Sequence, residues 1–571
     1  MSVLIDISSG GVVVEGIGST RPQDIRQQLL AYVPSKSILS YRGRFVIPQN
    51  LAHLLVNAFS GKTVKWTPAA RTLATRQLGE IQQHESAKTE VAAAVSNPLE
   101  FLSDYRYLHK LDSHQINAVA AICAASVKGI ALFDEQGLGK TISALCAFDR
   151  MRELDVVDKL LVVAPKSVLS SWVDDAHRMF EHGYIVRIAS GSVVTRRRCI
   201  REEFDILIFN YECLIAELQL FIRTIESRKT RVLFVVDESY FVKNRDARRS
   251  KAVAALRSHC SRTLILCGTP APNSPDDLLN QIDVVSPEMS TRPRYFNSED
   301  YAAKEMAQKA LAEIICLRRL KKDVLPQIPG KHFEKILLDL QPLQQSLYRK
   351  AKNELVVEVR GLDDVTFRKR LRSFLARRSA LLQICSHPGA LDRSYTEVPA
   401  KLLALDQLLE GLIKRKRKKV VVWSFYRYTL DAIANRYRHY GIARIDGSVT
   451  KVKDRSDAIK RFQSDENVKL FVGNAAAAGA GITLTAAHDA IYESFSNQAA
   501  HYMQSVDRIH RRGQKFPTTY YVLLGANTIE EGQFDRILQK ERDGQDLLGD
   551  HYEEPFTRER FLRELDVIPT P

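Results

Sequence analysis

One glycine-containing stretch, residues 133–141 (Phe-Asp-Glu-Gln-Gly-Leu-Gly-Lys-Thr), constrains the fold more than any other part of the chain. An apolar run directly before it predicts a buried strand, and the pattern directly after it predicts a helix. In such a unit, Gly137 and Gly139 permit a tight turn that directs backbone N–H groups at a phosphate. Lys140 reaches the terminal phosphates, and the Thr141 hydroxyl can hold Mg²⁺. The stretch therefore predicts a binding site for a nucleoside triphosphate.

Two positions near this loop need separate comment. Asp134 stands where the general phosphate-loop pattern has its first glycine, so the flanking strand and helix carry much of the prediction. Gln115, ahead of the loop, could read the edge of an adenine. Taken alone, Gln115 is equally well explained as an exposed glutamine.

An acidic pair at the end of a second apolar run strengthens the prediction. Residues 231–236 predict a strand that delivers Asp237 and Glu238 to the edge of a sheet. Asp237 can bind Mg²⁺ through water, and Glu238 can orient and deprotonate an attacking water. One predicted strand later, the Thr269 hydroxyl is placed to contact a γ-phosphate. A solvated acidic turn is the alternative, and the phosphate loop upstream disfavours it.

Composition and charge indicate the kind of partner. The chain has 571 residues, enough for about three or four domains, and a formal net charge of +16. This excess of positive charge favours a polyanion such as nucleic acid over the alternative of a merely basic protein. Its eight cysteines occur singly, without a C-x-x-C pair, which predicts a reducing compartment and no zinc ribbon. No signal peptide or membrane-spanning run is recognisable.

The motifs occur in a definite order along the chain. In the first half they are Gln115, residues 134–141, residues 237–244 and residues 268–273. This set resembles the first motor lobe of the SNF2 branch of superfamily 2 helicases. Further along, residues 317–325, 382–388 and 504–514 resemble connecting segments and the sixth motif of that branch. The resemblance covers roughly residues 111–540, and an ordered set is far more specific than any one motif.

The resemblance implies an α/β fold with two tandem RecA-like lobes, each a doubly wound parallel sheet. The alternation of strand and helix patterns from Leu111 onward independently predicts such a sheet. Residues 280–400 read as helical and interrupt this alternation. The predicted units are an accessory module (1–100), an ATP-binding lobe 1 (101–285), helical protrusions and a linker (286–400), a lobe 2 (401–545) and a tail (546–571).

The second lobe is expected to complete the nucleotide site. Arg508 and Arg511 lie three residues apart on a predicted helix, so they share a face from which both can reach the γ-phosphate. By resemblance, Gln504 and Asp507 help to position the site. The fifth motif, which includes Gly479, Gly481 and Thr485 by the same resemblance, links ATP to the bound strand.

Candidate contacts with nucleic acid come from the ends of predicted strands: Lys166, Ser167 and Tyr211 in lobe 1, and Ser424 and Thr485 in lobe 2. The basic cluster within residues 368–378 could contact a duplex, and a solvated helix face is the alternative. A second basic run, residues 414–419, resembles a nuclear signal, but it adjoins a predicted strand, which favours a stripe on the surface of lobe 2.

This chain departs from the family pattern in two places. Tyr240 occupies a position that is usually histidine or glutamine, which bears on coupling between the lobes. The fifth motif is rich in alanine and looks more like those of compact prokaryotic, phage and fork-remodelling members. We recognise no chromatin-reading module, so nucleosome remodelling is disfavoured.

The expected function is an ATP- and Mg²⁺-dependent motor that moves along double-stranded DNA in repair, replication-fork or genome-defence processes. A helicase that separates or anneals strands at forked DNA is one alternative, and RNA is a formally possible track. An alternative of another class is a nucleotide-gated DNA-binding module that recruits a nuclease or repair partner through residues 1–100. The expected location is the nucleoid in a prokaryote or phage and the nucleus in a eukaryote.

Overall fold

The computed structural model describes residues 1–33, 35–181, 183–268, 270, 275–286, 311, 314–325, 327–449, 452–478, 482–496 and 498–545, together with Leu562 and Leu565. The predicted contacts Thr269, Gly479 and Gly481 lie outside these residues. The strands are β1 Ser2–Ser8, β2 Gly11–Gly16, β3 Leu39–Tyr41, β4 Arg44–Ile47, β5 Thr63–Trp66, β6 Gly129–Leu132, β7 Lys159–Val163, β8 Val186–Ala189, β9 Ile206–Phe209, β10 Val232–Asp237, β11 Arg262–Leu266, β12 Cys316–Leu317, β13 Lys331–Leu338, β14 Val420–Trp423, β15 Ile442–Ile445, β16 Leu470–Gly473, β17 Asp489–Tyr492 and β18 Thr518–Gly525.

The α-helices are α1 Pro22–Leu30, α2 Leu54–Ala58, α3 Pro68–Ser96, α4 Pro98–Leu102, α5 Ser113–Cys123, α6 Lys140–Glu153, α7 Leu169–Met179, α8 Val193–Arg201, α9 Tyr211–Arg228, α10 Arg248–Arg257, α11 Pro275–Val285, α12 Lys321–Val324, α13 Pro342–Arg360, α14 Asp364–Ser386, α15 Ala400–Leu409, α16 Arg427–Arg436, α17 Val452–Ser464, α18 Ala475–Ala478, α19 Ala499–Val506 and α20 Ile529–Gln545.

The N-terminal module is a five-stranded sheet in the order β3-β4-β2-β1-β5. Strands β1 and β5 are parallel, and the other pairs are antiparallel. Alternate residues such as Val3, Ile5 and Val14 are buried together with Ile25 and Leu29 of α1, because side chains point to opposite faces along a strand. One face of this sheet therefore forms the core of the module. Trp66 packs against that core, as expected for most tryptophans.

Helix α3 joins the module to lobe 1 without interruption over 29 residues. The Thr67 hydroxyl caps its first turn by accepting from the Ala70 N–H, and proline occupies its first position. Near its start, Ala74 belongs to the core of the module; near its end, Val91 and Ala94 belong to the core of lobe 1. The helix therefore shares hydrophobic cores with both units.

Lobe 1 is a seven-stranded, all-parallel sheet in the order β12-β6-β11-β10-β7-β9-β8. Its central strands β6, β7, β9, β10 and β11 are buried almost throughout, because helices cover both faces of the sheet. This continuous burial explains their near-uniform apolar sequences. The predicted doubly wound, RecA-like fold is confirmed for this lobe, and the sheet places the carboxyl ends of its strands along one edge.

Lobe 2 is a second all-parallel sheet, with six strands in the order β13-β18-β17-β14-β16-β15. The five strand segments that the sequence predicts here, beginning near residues 420, 443, 470, 490 and 519, are all confirmed. The chain therefore contains two sheets of the same type, each with its own hydrophobic core.

The prediction that residues 280–400 are helical is wrong at two places. Strand β12 pairs with β6 at the edge of the lobe 1 sheet, and β13 pairs with β18 at the edge of the lobe 2 sheet. A two-residue strand carries no readable periodicity, and β13 is largely exposed, so its sequence lacks an apolar run. Helices α13 and α14 do form the predicted helical portion and pack against each other. The stretch thus completes both sheets.

The two predicted basic clusters are only partly exposed. On α14, Arg370 and Arg377 both pair with Glu358 of α13, and Arg378 is buried. In the second cluster, residues 414–417 are exposed, whereas the next two lysines bind Asp489 and backbone carbonyls within lobe 2. The second cluster therefore contributes a basic stripe to the surface of lobe 2, as the sequence indicates.

All eight cysteines are free thiols. Among the described residues, we find no helix that is both long and apolar enough to cross a bilayer.

A buried arginine offers a test of the packing in lobe 1. The Arg262 guanidinium donates to the carbonyls of Ile122, Ala124 and Ala125 at the end of α5, the last two at 2.7 Å. We expect Arg262→Met to lower the free energy of unfolding by about 2–4 kcal/mol, because the buried carbonyls of Ile122 and Ala124 lose their donor. Urea denaturation checks this, with the exposed Arg223→Met as the control. Equal stability of the two variants would contradict the assigned role of Arg262 as the donor to these carbonyls.

Candidate nucleotide site between the two lobes

The phosphate loop lies between β6 and α6, as the sequence predicts. Gly137 and Gly139 have φ values of +88° and +78°, which only glycine adopts without strain. A Cβ atom on Gly139 would also collide with the Gln115 amide. Lys140 Nζ donates to loop carbonyls, at 2.7 Å to Asp134 and 3.3 Å to Glu135. The lysine is therefore held inside the loop by weak acceptors that a phosphate can replace.

Asp134, which departs from the phosphate-loop pattern, has a specific partner. Its buried carboxylate forms a bidentate pair with Arg319, at 2.9 Å from Nε and 2.5 Å from Nη2. Two residues further on, the backbone N–H of Lys321 donates to the Glu135 carboxylate at 2.7 Å. The acidic residues of the loop therefore hold the segment that follows β12 against the nucleotide site.

Gln115 is buried against the phosphate loop and is not the isolated exposed glutamine of the alternative interpretation. Its carbonyl oxygen accepts from the Asp112 N–H at 3.0 Å in a capping box, and its amide donates to the Leu138 carbonyl at 3.4 Å. Recognition of adenine by Gln115 stays a prediction.

Asp237 ends β10 and is held from three sides. Trp172 Nε1 donates to its carboxylate at 2.8 Å, the Glu238 N–H donates to its other oxygen at 2.9 Å, and the Tyr211 hydroxyl donates to its carbonyl at 2.7 Å. Burial, followed by the charge of Glu238, raises the pKa of Asp237 to about 7. A nearby cation would favour its charged form.

Glu238 follows in a left-handed conformation, with φ of +50°. Such backbone strain in a non-glycine residue is often found at functional sites. One carboxylate oxygen accepts from the Gln136 amide at 3.1 Å, whereas the buried Oε2 has no hydrogen-bond partner in the described part of the chain. Glu238 therefore keeps one oxygen available for a water molecule.

The side chains around the acidic pair are suited to bind Mg²⁺. In nucleotide sites Mg²⁺ takes one or two protein groups together with phosphate oxygens and water. Thr141 and Asp237, the two predicted metal contacts, line the same cavity. Their oxygens are of the hard type that Mg²⁺ prefers.

Arg508 and Arg511 do not lie on a helix, which corrects the sequence-based prediction. Helix α19 ends at Val506, and the chain continues as turns. Both guanidinium groups nevertheless donate to one acceptor, the Ile482 carbonyl, at 3.3 and 3.4 Å. Burial lowers the pKa of Arg508 to about 10, and the charge of Arg511 adds to the shift. The turns bring together the two arginines that the helix was expected to align.

Polar contacts reach the sixth-motif region of lobe 2 from lobe 1 and from the segment between the lobes. Arg508 Nη2 donates to the Gln136 carbonyl oxygen at 3.2 Å, and the Gln504 amide donates to the Tyr240 hydroxyl at 3.5 Å. Ion pairs join Arg512 to Asp112 at 2.7 Å and Asp507 to Lys321 of the connecting segment at 2.5 Å. Tyr240, the departure from the family pattern, therefore makes a contact between the lobes.

A cavity of about 510 Å³ lies between the lobes and collects most of the predicted nucleotide-site residues. Its lining includes Gln115, Gly137, Gly139, Lys140, Thr141, Asp237, Glu238, Arg508 and Arg511. Gln504 is buried just behind it and reaches Tyr240. Their convergence from distant parts of the sequence makes this cavity the candidate active site.

The predicted nucleic-acid contacts fall into two groups. Lys166 is exposed and lines the same cavity with Ser167, and Thr485 is half-buried, so these three stay predictions. Tyr211 and Ser424 are 3% and 1% exposed, and their hydroxyls donate to the Asp237 carbonyl and the Glu493 carboxylate. The structure speaks against direct contact by these two residues, because a buried hydroxyl with its proton engaged cannot donate to a phosphate on the surface.

Sequence reasoning missed three residues of the site: Gln136, Trp172 and Lys321. Gln136 lies inside the quoted phosphate loop and Lys321 inside a quoted connecting segment, but neither residue was assigned a role. Trp172 lies on an ordinary amphipathic helix, α7, and no local pattern distinguishes it from a core tryptophan. Their partners are 65 or more residues away in the sequence.

Two protein-family models match this chain. Residues 83–390 match the SNF2-related domain, and residues 400–513 match the helicase conserved C-terminal domain. The first match alone spans more than half of the chain.

Three curated relatives are 27–29% identical to this chain over the aligned residues. The ISWI chromatin-remodeling complex ATPase ISW1 of Saccharomyces cerevisiae is 28% identical over 75% of this chain and 39% of its own length. The mouse SWI/SNF-related matrix-associated actin-dependent regulator of chromatin subfamily A member 1 is 29% identical over 74% of this chain and 41% of its own length. An uncharacterized ATP-dependent helicase of Mycoplasma genitalium, MG018, is 27% identical over 79% of this chain and 44% of its own length. The chain spans about two fifths of the length of these relatives.

A solved structure of the Sulfolobus solfataricus SWI2/SNF2 ATPase core in complex with dsDNA is 24% identical, covers 77% of this chain and 94% of its own, and has a TM-score of 0.36. The ordered motifs, the two parallel-sheet lobes and the two domain matches together show that the chain belongs to the SNF2-related family of superfamily 2 helicases.

Proposed function

We propose that this protein is a DNA-dependent ATPase that converts ATP hydrolysis into movement along double-stranded DNA. The observation that carries the proposal is the contact of Arg508 of lobe 2 with Gln136 of the phosphate loop, beside Glu238. It brings an arginine of one lobe to the water-activating carboxylate of the other, as phosphoryl transfer requires.

Each residue has a definite task in this proposal. The loop N–H groups and Lys140 bind the β- and γ-phosphates, while Thr141 and Asp237 hold Mg²⁺. When bound, Mg²⁺ neutralises charge on the phosphate oxygens. Glu238 orients the attacking water and accepts its proton. Arg508 and Arg511 stabilise the negative charge that develops on the transferred phosphoryl group.

Hydrolysis in such a site depends on closure of the two lobes, because the arginines come from lobe 2. ATP stabilises the closed state by bridging the lobes, and product release allows them to separate. If each lobe also grips the phosphate backbone, alternation between the two states moves the protein along its track. Lys166, Ser167 and Thr485 are the proposed backbone contacts nearest to this cavity.

Two features support double-stranded DNA as the track. The net charge of +16 favours a polyanion, since counterions are released when phosphates are neutralised. Relatives are named as chromatin-remodeling ATPases, which favours a duplex over a single strand. Forked DNA and strand separation are the second candidate, and here the mycoplasma relative named as a helicase is the supporting observation. We place the protein with the DNA, in the nucleoid or the nucleus.

A nucleotide-gated binding module is less well supported, because a protein that only binds nucleotide has no need of a complete set of hydrolytic residues. Recruitment of a partner by the N-terminal module is compatible with either function.

The decisive experiment measures ATP hydrolysis without nucleic acid and with linear duplex, single-stranded DNA, forked DNA and RNA at one salt concentration. We expect the strongest stimulation by plain duplex and no strand release from a forked substrate. Stimulation by forks alone, with strand release, would replace translocation with unwinding. No stimulation by any nucleic acid would favour the binding module.

We expect Lys140→Ala to lower the duplex-stimulated ATPase rate at least about 100-fold, because the phosphates lose their main cation. Binding to a fluorescent duplex should change little, since Lys140 contacts the loop and not the exposed surface. The exposed Lys251→Ala on α10 is the matched control and should hydrolyse ATP normally. Normal turnover by Lys140→Ala would refute the assigned site.

Trp172→Phe tests the support of Asp237. The substitution keeps the aromatic packing but removes the N–H that donates to the carboxylate. Loss of a hydrogen bond to a metal-binding carboxylate commonly costs 10- to 100-fold in metal affinity or activity. We therefore expect a rise of about tenfold in the Mg²⁺ concentration for half-maximal ATPase activity, measured by Mg²⁺ titration. An unchanged titration curve would contradict the positioning role of Trp172.

A further inference from the structure

The Gln136 side chain is the direct link between the two groups that act on the γ-phosphate. Its amide nitrogen donates to Glu238 Oε1 at 3.1 Å, and its carbonyl oxygen accepts from Arg508 Nη2 at 3.2 Å. A carboxylate only accepts hydrogen bonds and a guanidinium only donates them, so one orientation of the amide satisfies both. No apolar side chain of this length can do so.

The surroundings hold this amide in place. Gln136 is 8% exposed, and Gly268, just after β11, lies directly against it. A Cβ atom on Gly268 would come within 2.5 Å of Gln136 Cγ and 3.0 Å of its amide nitrogen. The absence of a side chain at Gly268 therefore provides the space that the amide occupies. The packing of Gln136 therefore explains the glycine at the start of the quoted stretch 268–273.

The neutral amide also separates two opposite charges. In a buried site, a carboxylate and a guanidinium attract each other strongly and would pair directly if they could. A direct pair would remove Glu238 from the attacking water and Arg508 from the phosphoryl group. Gln136 contacts both groups yet carries no charge, so it lies between them without forming an ion pair with either.

We propose that Gln136 is a positioning residue that sets the distance between Glu238 and Arg508 and so couples lobe closure to the hydrolytic step. This inference rests on the proposed ATPase function. The Gln136 side chain acts through Glu238 and Arg508 and not by binding the phosphates itself.

The test compares kcat and KM for ATP, with duplex DNA present, in the wild type, Gln136→Met and Gln136→Glu. Methionine has a similar length and forms neither hydrogen bond. Glutamate can accept from Arg508 but cannot donate to Glu238. We expect kcat to fall about 10- to 100-fold in both variants, because small misplacements of catalytic groups cost this much. The KM for ATP should stay within about threefold of the wild-type value, since Lys140 and the loop backbone are unchanged.

Gln344→Met is the matched control. Gln344 is another fully buried glutamine, and its amide bonds to backbone groups of Ile384, Cys385 and Ala400, away from the cavity. We expect this variant to lower the Tm and to keep a kcat near that of the wild type, which separates lost packing from lost positioning.

The outcomes distinguish the two proposals. A wild-type protein without ATPase activity would refute the proposed function itself. An active wild type with an unchanged kcat in Gln136→Met or Gln136→Glu would overturn the role of Gln136 alone. A higher KM with an unchanged kcat would also overturn it, because that result indicates ground-state binding. If Gln136→Met does not fold, the isosteric Gln136→Glu decides.

Discussion

The interaction on which this structure depends is the burial of an arginine of one lobe against the phosphate loop of the other. Arg508 is 3% exposed, and burial lowers its pKa, so its charge is costly to keep in this place. The guanidinium is tolerated because Gln136, the Gln504 carbonyl and the Ile482 carbonyl accept its hydrogen bonds. A buried cation that needs acceptors from both lobes makes their relative position part of the chemistry.

Two rigid sheets make such a site possible. Parallel sheets covered by helices on both faces have fully buried strands, so the carboxyl ends of those strands are held firmly. Asp237 leaves β10 at such an end, and Glu493 leaves β17 at the corresponding end in lobe 2. The segment between the lobes contributes an edge strand to each sheet and carries Lys321 into the cleft, where it meets Asp507. The connector is therefore part of both lobes and of the site.

The local patterns predicted the elements that carry the candidate nucleotide site well, and the reason is physical. Phosphate binding needs positive φ at Gly137 and Gly139, and the acidic pair needs a buried strand before it; both requirements appear as short, contiguous sequence. Strand β12 and the turn that carries Arg508 were mispredicted, because two residues show no period and a helix end depends on its surroundings. Tyr211 and Ser424 follow strands as DNA contacts would, yet tertiary packing turned their hydroxyls inward.

The sequence by itself determined the family, the order of the motifs and the residues proposed for hydrolysis, because each of these rests on local chemistry that short motifs express. Only the tertiary structure decided which residues support them. Trp172 lies 65 positions from Asp237, and Gln136 lies 372 positions from Arg508. Contacts of this separation follow from strand order and lobe closure, which no local pattern encodes, so the positioning of the hydrolytic groups is a property of the fold.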